Sequence, residues 1–421
     1  MPLLVCLVLL VWNPLQAQVA RPKDVRELAK GGSNAIPQLQ ALLKNPDLEI
    51  RIEAVKAIVE IGTQRSLDPL IESTGDPDPE IQIRSTDGLV NFYLPGYVQT
   101  GMSARLQRAG KVVRVKFPDT NDRVLDTYIQ PRPEAIAALG KLARGGISME
   151  VRANAARAVG ILRGQAALPD LIEAMKSKDS AILYECLIAM QKVGDRSVAP
   201  SVRYLLRDLD ERVQIAALET TGMLQNKDAL PDLVEALNRA RTQKVRRAAL
   251  AAIAMIPDPS SRVLLNRYLN DRDDAALRVA AAEGFGRLRN PIDRPSMQKA
   301  YEQERNASAR LSMAFALVSM GVVEVSEFSP LQLLVNTLNL KARQGEALAL
   351  MIELARDAKI RALLYPALAS GTKEEKIHLA RVLARSGDKE SLPALEKVSR
   401  DPDVDVAQEG VRALQNLRAR L

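Results

Sequence analysis

An all-α chain, built as an α-solenoid of about eleven stacked helix pairs, is what the sequence predicts, and three observations predict it. A short phrase recurs. Ala167-Leu168-Pro169-Asp170-Leu171-Ile172 returns as Val198-Ala199-Pro200-Ser201-Val202 and as Ala229-Leu230-Pro231-Asp232-Leu233-Val234, which sets the prolines 31 residues apart. Apolar residues follow each proline at helical rather than alternating spacing, as in Leu171, Ile172 and Met175. Aromatic residues are only 3% of the 421 while apolar residues are 47%, so the interior has to be made from Ala, Leu, Val and Ile. A single helix pair cannot bury its own apolar stripe, so neighbouring pairs must stack.

Each copy is punctuated in the same order. Its proline suits the first helical position, where the missing N–H costs nothing. Pro37 and Pro69, 32 residues apart, open copies in this way, and Pro393 opens the last in Ser391-Leu392-Pro393-Ala394-Leu395. A polar turn follows the first helix: Asn45-Pro46-Asp47, Asp76-Pro77-Asp78, Asp208-Leu209-Asp210 and Asp401-Pro402-Asp403. Aspartate there accepts from the free N–H groups that start the second helix. That helix reads Val or Ile, then Arg, then small residues, as in Ile50-Arg51-Ile52-Glu53-Ala54, Val151-Arg152-Ala153-Asn154-Ala155, Val245-Arg246-Arg247-Ala248-Ala249 and Leu277-Arg278-Val279-Ala280-Ala281. Gly62, Gly160, Gly194, Gly222 and Gly387 are expected to end these second helices in the left-handed conformation.

This grammar resembles HEAT repeats, specifically the short HEAT-like repeats of phycobilin lyases. The copies span roughly 34–417, with weaker ones near 308–321 and 331–356. The resemblance implies second helices that line a concave binding surface. It also implies that Arg51, Arg84, Arg152, Arg246 and Arg278 pair with turn aspartates to knit neighbouring pairs together. Aligned with them, His378 falls in the same slot.

Residues 1–17 read as an export signal. Residues 1–20 carry no charge, the apolar run 3–12 is about half the roughly 20 residues that span a bilayer, and Leu15-Gln16-Ala17 fits a cleavage site. Val5 is not the small residue that a lipidated Cys6 would need before it. The chain is therefore expected in the periplasm or the extracellular space, with no transmembrane span. N-terminal repeats occupy 18–93, an insertion 94–132, and the main array 133–421.

The insertion breaks the grammar. Lys111-Val112-Val113-Arg114-Val115-Lys116-Phe117 and Arg123-Val124-Leu125-Asp126-Thr127-Tyr128-Ile129 flank a Pro/Asp/Asn turn and read as a candidate β-hairpin. Residues 94–132 hold seven basic against three acidic side chains, half of the net charge of +8. Phe92, Tyr93, Tyr97, Phe117 and Tyr128 cluster in and beside it. Insertions of this kind gather on a binding face, and Arg with Tyr favours protein interfaces. Tyr93, Tyr97, Arg105, Arg108, Lys111, Arg114 and Lys116 are accordingly the candidate partner-binding residues, and the partner is expected to be a protein with an acidic surface. The competing reading has the aromatics packing the insertion onto its neighbours with the basic residues merely solvated. Contact with a membrane surface is a weaker expectation, because the segment is too interrupted for an amphipathic helix.

Composition limits chemistry. His378 is the one histidine and Cys6 and Cys186 are the two cysteines, too few for a histidine or cysteine metal site. A HEAT-like iron hydroxylase of the deoxyhypusine type uses His-Glu dipeptides, whereas here Leu379 follows His378. Gly284-Phe285-Gly286 lacks the strand and third glycine of a nucleotide fingerprint. Cys186 aligns with Ala155 on an apolar face and reads as an inert buried thiol. No catalytic residue, metal or cofactor is expected. The 51 acidic residues interspersed among 59 basic ones do not make a nucleic-acid sleeve, so no nucleic acid is expected. The sequence thus points to a non-catalytic protein-interaction scaffold. The alternatives are a phycobilin-lyase-like or other small-molecule enzyme, or a polyanion or nucleic-acid binder acting through the basic insertion.

Overall fold

The computed structural model describes residues 21–98 and 123–421, and every element in them is helical or irregular. The chain divides into two compact units, one holding 21–98 with Gly146–Val151, the other 123–145 with Arg152–Leu421.

The first unit contains α1 (Pro22–Ala29), α2 (Ile36–Leu42), α3 (Leu48–Ile61), α4 (Leu67–Ser73) and α5 (Pro79–Tyr93). The second begins with α6 (Pro133–Gly145) and α7 (Met149–Ile161), whose first residues belong to the first unit. It continues with α8 (Leu168–Ala174), α9 (Ser180–Val193), a 3-10 helix (Arg196–Arg207), α10 (Glu211–Met223), α11 (Leu230–Asn238) and α12 (Gln243–Met255). Then come α13 (Arg262–Leu269), α14 (Ala275–Leu288), α15 (Arg294–Gln303), α16 (Ala307–Ser319), α17 (Pro330–Thr337) and α18 (Gln344–Leu354). The last are α19 (Ala358–Ser370), α20 (Lys373–Ser386), α21 (Leu392–Val398) and α22 (Val404–Arg418). From α2 onward these alternate first and second helices, the first usually the shorter, which is the predicted solenoid of helix pairs.

The two aspartates of each turn divide the labour. The second caps the following helix: Asp47 accepts from Glu49 N at 2.8 Å and Asp78 from Glu80 N at 2.9 Å. The first closes the turn, as when Asp76 Oδ1 accepts from Asp78 N at 2.9 Å and Asp401 Oδ1 from Asp403 N at 3.0 Å. At Asp76 and Asp401 the other oxygen takes a cation from the fourth residue of the preceding second helix. Arg51 Nε donates to Asp76 at 2.9 Å and Lys376 Nζ to Asp401 at 2.9 Å. Arg278 reaches Glu304 in the equivalent turn at 2.7 Å. These pairs are largely withdrawn from solvent, so losing one member strands a charge.

Part of the expected ladder is corrected. Arg84 lies two residues past the slot and turns back to Glu80 on its own helix, while Gln82 fills the slot and donates to Asp76 O. Arg246 stays exposed while Arg247 takes Asp274 at 2.8 Å, whereas Arg152 does occupy the slot on α7 and donates to Ala143 O at 3.2 Å, as Arg51 does to Asn45 O. His378 is likewise two residues late, and Lys376 holds its assigned place.

Successive second helices approach closely because they meet through small residues. A Cβ on Gly160 would lie 2.7 Å from Ala189 Cα, and one on Gly222 would lie 2.7 Å from Ala252 Cα. These glycines therefore sit inside their helices as contact points and do not end them. Gly62 and Gly194 do end theirs, with φ of 56° and 73°. At the matching places of α7 and α10 the left-handed residues are Arg163 and Gln225, with φ of 53° and 54°. Gly387 has an extended backbone, φ −66° and ψ 170°.

The described arm of the candidate hairpin, 123–129, joins no strand. Its polar groups are taken by helices instead. Leu125, fully covered, donates its N–H to Ile161 O at the end of α7 at 2.9 Å. Asp126 accepts from Arg412 Nε and Nη2 on α22 at 2.9 and 3.0 Å. Thr127 N and Oγ1 both donate to Asn416 Oδ1 at 2.8 Å. One short segment thus ties the first helix pair of the second unit to the last.

Candidate protein-binding surface

Of the residues singled out for binding, two are described. Tyr93 ends α5, is buried, and packs edge-to-face on Phe92 with ring centroids 4.9 Å apart, a structural rather than a presented side chain. Tyr97 follows at the turn after that helix, half-buried. Arg105, Arg108, Lys111, Arg114 and Lys116 lie outside the described residues.

The groups with the greatest chemical potential are committed elsewhere. His378 is buried on α20, where burial first and the Arg381 charge second lower its proton affinity. Burial pushes the Cys186 thiol up to about 12, far from a working nucleophile. Sequence reading missed one charged cluster, because its members are 66 residues apart. Arg287 on α14 donates Nε to Glu353 Oε1 on α18 at 3.0 Å and Nη2 to Glu283 Oε2 at 3.2 Å. Ser312 Oγ adds a donor to Glu283 at 3.2 Å. Burial raises the Glu283 carboxyl; it also opposes the charge on Arg287, but Glu353 and Glu283 outweigh that and hold the guanidinium above its ordinary range. This cluster joins α14 to α18, with both carboxylates bonded to the one guanidinium.

Among the uncovered surfaces of the described residues is a strip on either side of the 3-10 helix. Here the first helix of the repeat, expected as α, is wound with three residues per turn over twelve residues. Runs beyond three or four are uncommon. Asp195 starts it by accepting from Ser197 N at 2.9 Å, and Ser201 Oγ donates to Val198 O at 2.6 Å, three residues back. At this pitch side chains three apart eclipse one another. Ala199, Val202 and Leu205 make one buried ridge; Ser201, Tyr204 and Arg207 make another, turned outward. A 3-10 helix is thinner than an α-helix, so space is left against both neighbours.

The first groove, of about 520 Å³, lies towards α8 and is lined by Ile172, Met175, Leu183, Tyr204 and Leu205, with Lys176 and Lys178 at its mouth. Tyr204 donates its hydroxyl to Met175 O at 2.5 Å, which fixes the ring upright although it is 60% exposed. The second, of about 320 Å³, lies towards α11, with Leu206, Ala236, Ala240 and Val245 along it and Arg207, Arg239 and Arg241 around it. Leu209, 93% exposed, stands at that second groove, and Asp208 borders both.

The charge here is one-sided. Between Glu235 and Asp258 the chain carries Arg239, Arg241, Lys244, Arg246 and Arg247 and no acid. Glu235 is engaged by Arg207 and by Arg239, the latter at 2.9 Å, and Asp208 accepts from Asp210 N at 2.8 Å. Lys178, Arg241 and Arg246 are exposed and meet no carboxylate among the described residues. Among the described residues no group of three or more His, Cys, Asp or Glu is placed to hold a metal ion.

The family model for HEAT repeats matches residues 21–89, 169–254 and 230–318, and that for the PBS lyase HEAT-like repeat matches 151–177. None of the curated proteins matches the chain. Among solved structures, Escherichia coli YibA is 16% identical, covering 70% of this chain and 95% of its own, with a TM-score of 0.41. The CpcE–CpcF complex of phycocyanin lyase from Nostoc is 18% identical, covering 71% and 91%, at 0.32. Importin β is 14% identical, covering 91% and 57%, at 0.39.

Proposed function

Because the chain belongs to the HEAT-repeat family, whose model matches more than half of its length, we propose that it is a non-catalytic scaffold that holds another protein. The observation that carries this reading is the fate of its recurrent polar residues. Aspartates that repeat in step are spent on capping helices and on cross-repeat ion pairs, the histidine and the thiol are buried, and the charged cluster at Arg287 is internally matched. Recognition is left to uncovered apolar and cationic surface, which suits a protein with acidic surface.

The scaffold acts outside the cytoplasm in this reading, on the strength of the uncharged apolar start of the chain. No helix of the described residues is long and apolar enough to cross a membrane. The basic insertion supplies a second contact region through Arg105, Arg108, Lys111, Arg114 and Lys116.

The test is capture from the exported fraction of living cells after brief cross-linking, with a variant lacking 99–122 run alongside. A protein recovered in stoichiometric yield with the full chain supports the scaffold. Recovery of the chain alone, at every cross-linker length, overturns it.

A further inference from the structure

We propose that the two grooves flanking the 3-10 helix Arg196–Arg207 form one docking strip for an extended acidic segment of a protein, with apolar side chains three residues apart. The proposal rests on the scaffold reading and names which surface does the holding and what it holds.

Three independent features converge on this strip. The first is shape. The grooves lie on opposite sides of one helix, so their centres are separated by about one helix spacing, roughly 8–10 Å. A polyproline-II segment places residues i and i+3 on the same side about 9.3 Å apart. Two apolar side chains at that interval enter both grooves at once, whereas a strand repeats on one face at about 6.6 Å and a helix at about 10.5 Å over two turns.

The second is a pair of exposed apolar side chains beside apolar groove floors. Leu183 and Leu205, themselves buried, floor one groove beside the exposed Tyr204 ring, and the buried Leu206 and Val245 floor the other, with Leu209 standing almost fully in solvent beside it. The Tyr204 hydroxyl is already satisfied by Met175 O, so the ring offers its faces without a polar group to desolvate.

The third is charge. Lys176 and Lys178 line one groove and Arg207, Arg239 and Arg241 the other, and the exposed Arg246 follows Val245 in sequence. Pairing matches Glu235 with Arg207 and Arg239, Glu211 with Lys244 at 3.8 Å and Lys176 with Glu173 at 2.7 Å, which leaves Lys178, Arg241 and Arg246 without a carboxylate among the described residues, against Asp208 alone. The net field on an incoming chain is therefore attractive to carboxylates and repels basic segments.

The experiment uses the full chain and fluorescence anisotropy of labelled peptides. The probe is fluorescein-Glu-Asp-Leu-Pro-Glu-Leu-Asp-Glu, with one control in which lysine replaces every acid and another in which alanine replaces both leucines. The acidic leucine peptide is expected to bind saturably, and both controls at least tenfold more weakly. Arg241→Glu with Arg246→Glu is expected to weaken the probe at least tenfold and Tyr204→Ala about fivefold, with unchanged helical circular dichroism, because these side chains are exposed. Absence of saturable binding overturns the strip, as does equal affinity for the lysine peptide or indifference to the double variant. The double variant also separates the two readings. Cellular capture that survives it removes the strip and leaves the scaffold standing, whereas a wild-type chain that captures nothing removes the scaffold itself.

Discussion

Gly222→Ala is expected to destabilise this protein, although helix propensity alone argues the reverse. Alanine inside a helix is better than glycine by about 1 kcal/mol. Gly222 lies within α10, so a reading that stops at the helix expects that gain. The added methyl, however, lands 2.7 Å from Ala252 Cα, 3.0 Å from Ala252 O and 3.1 Å from Ala252 Cβ. Carbon atoms rest at about 3.5–4.0 Å, so α10 and α12 have to part by around 1 Å. The obstructing atoms are mostly backbone and cannot rotate away. Overpacking of this kind costs about 1–3 kcal/mol, occasionally more. Set against the propensity gain, the net loss is about 0–2 kcal/mol, at the upper end here because backbone atoms obstruct the methyl, and more for Gly222→Val. Urea denaturation followed by circular dichroism reads it as a lower midpoint at unchanged slope. A midpoint that rises would show that the two helices are not in contact through this residue, and the close-packed solenoid interior would have to be given up.

Four further outcomes follow from the same geometry. Arg278→Met is expected to cost about 1.5–3 kcal/mol, because it leaves Glu304 covered without its donors. Burial alone would raise the Glu304 carboxyl, but Arg278 overrides it and holds it below the ordinary carboxylate range, so the pair stabilises at neutral pH. That stability fades as pH drops below about 4.3, and a melting series over pH 3–6 should be flatter in the variant. Cys186 should resist Ellman's reagent at pH 8 until denaturant is added, since its thiol stays protonated and covered; rapid labelling of the native chain would contradict this. Replacing Arg105, Arg108, Lys111, Arg114 and Lys116 by Glu should abolish capture of the partner protein at unchanged helical content, and retained capture would discard the insertion as a contact region. Arg412→Glu should enlarge the radius of gyration in solution scattering, and adding Asp126→Arg should restore it; identical scattering curves would show that the tie between α22 and 126–127 carries no tension.

The helix pairs were legible in the sequence because their signals are local: proline at a helix start, aspartate immediately before the next helix, small residues along the second. The register of the left-handed residues was also legible, though glycine was the wrong guide to it. Counting 31 in either direction from Gly194 leads to Arg163 and Gln225, both with positive φ, whereas Gly160 and Gly222 lie three residues too early and serve helix contact. The ladder was misread for a similar reason. Its slot is the fourth residue of the second helix, and Arg84 and His378 lie two beyond it, which residue type could not reveal without helix boundaries. The remaining features had no local signature. Arg287 meets Glu353 across 66 residues and Asp126 meets Arg412 across 286, and no spacing rule links such positions. The grooves depend on a 3-10 helix whose sequence, Pro200 included, matches its α-helical siblings closely enough to hide the change of pitch.

The tie made by 125–127 has a consequence for how this unit can evolve and fail. An ordinary linear array gains or loses modules at its tips with little penalty, and its tips are the first parts to melt. Here the segment 125–127 bridges the opening and closing modules, so the last helix of the second unit is held from a second side. A duplicated or deleted module anywhere along it would carry Asn416 and Arg412 out of reach of Thr127 and Asp126. Module number is thus set by closure, as it is in a propeller, and length variants should be tolerated only where that clasp has been surrendered.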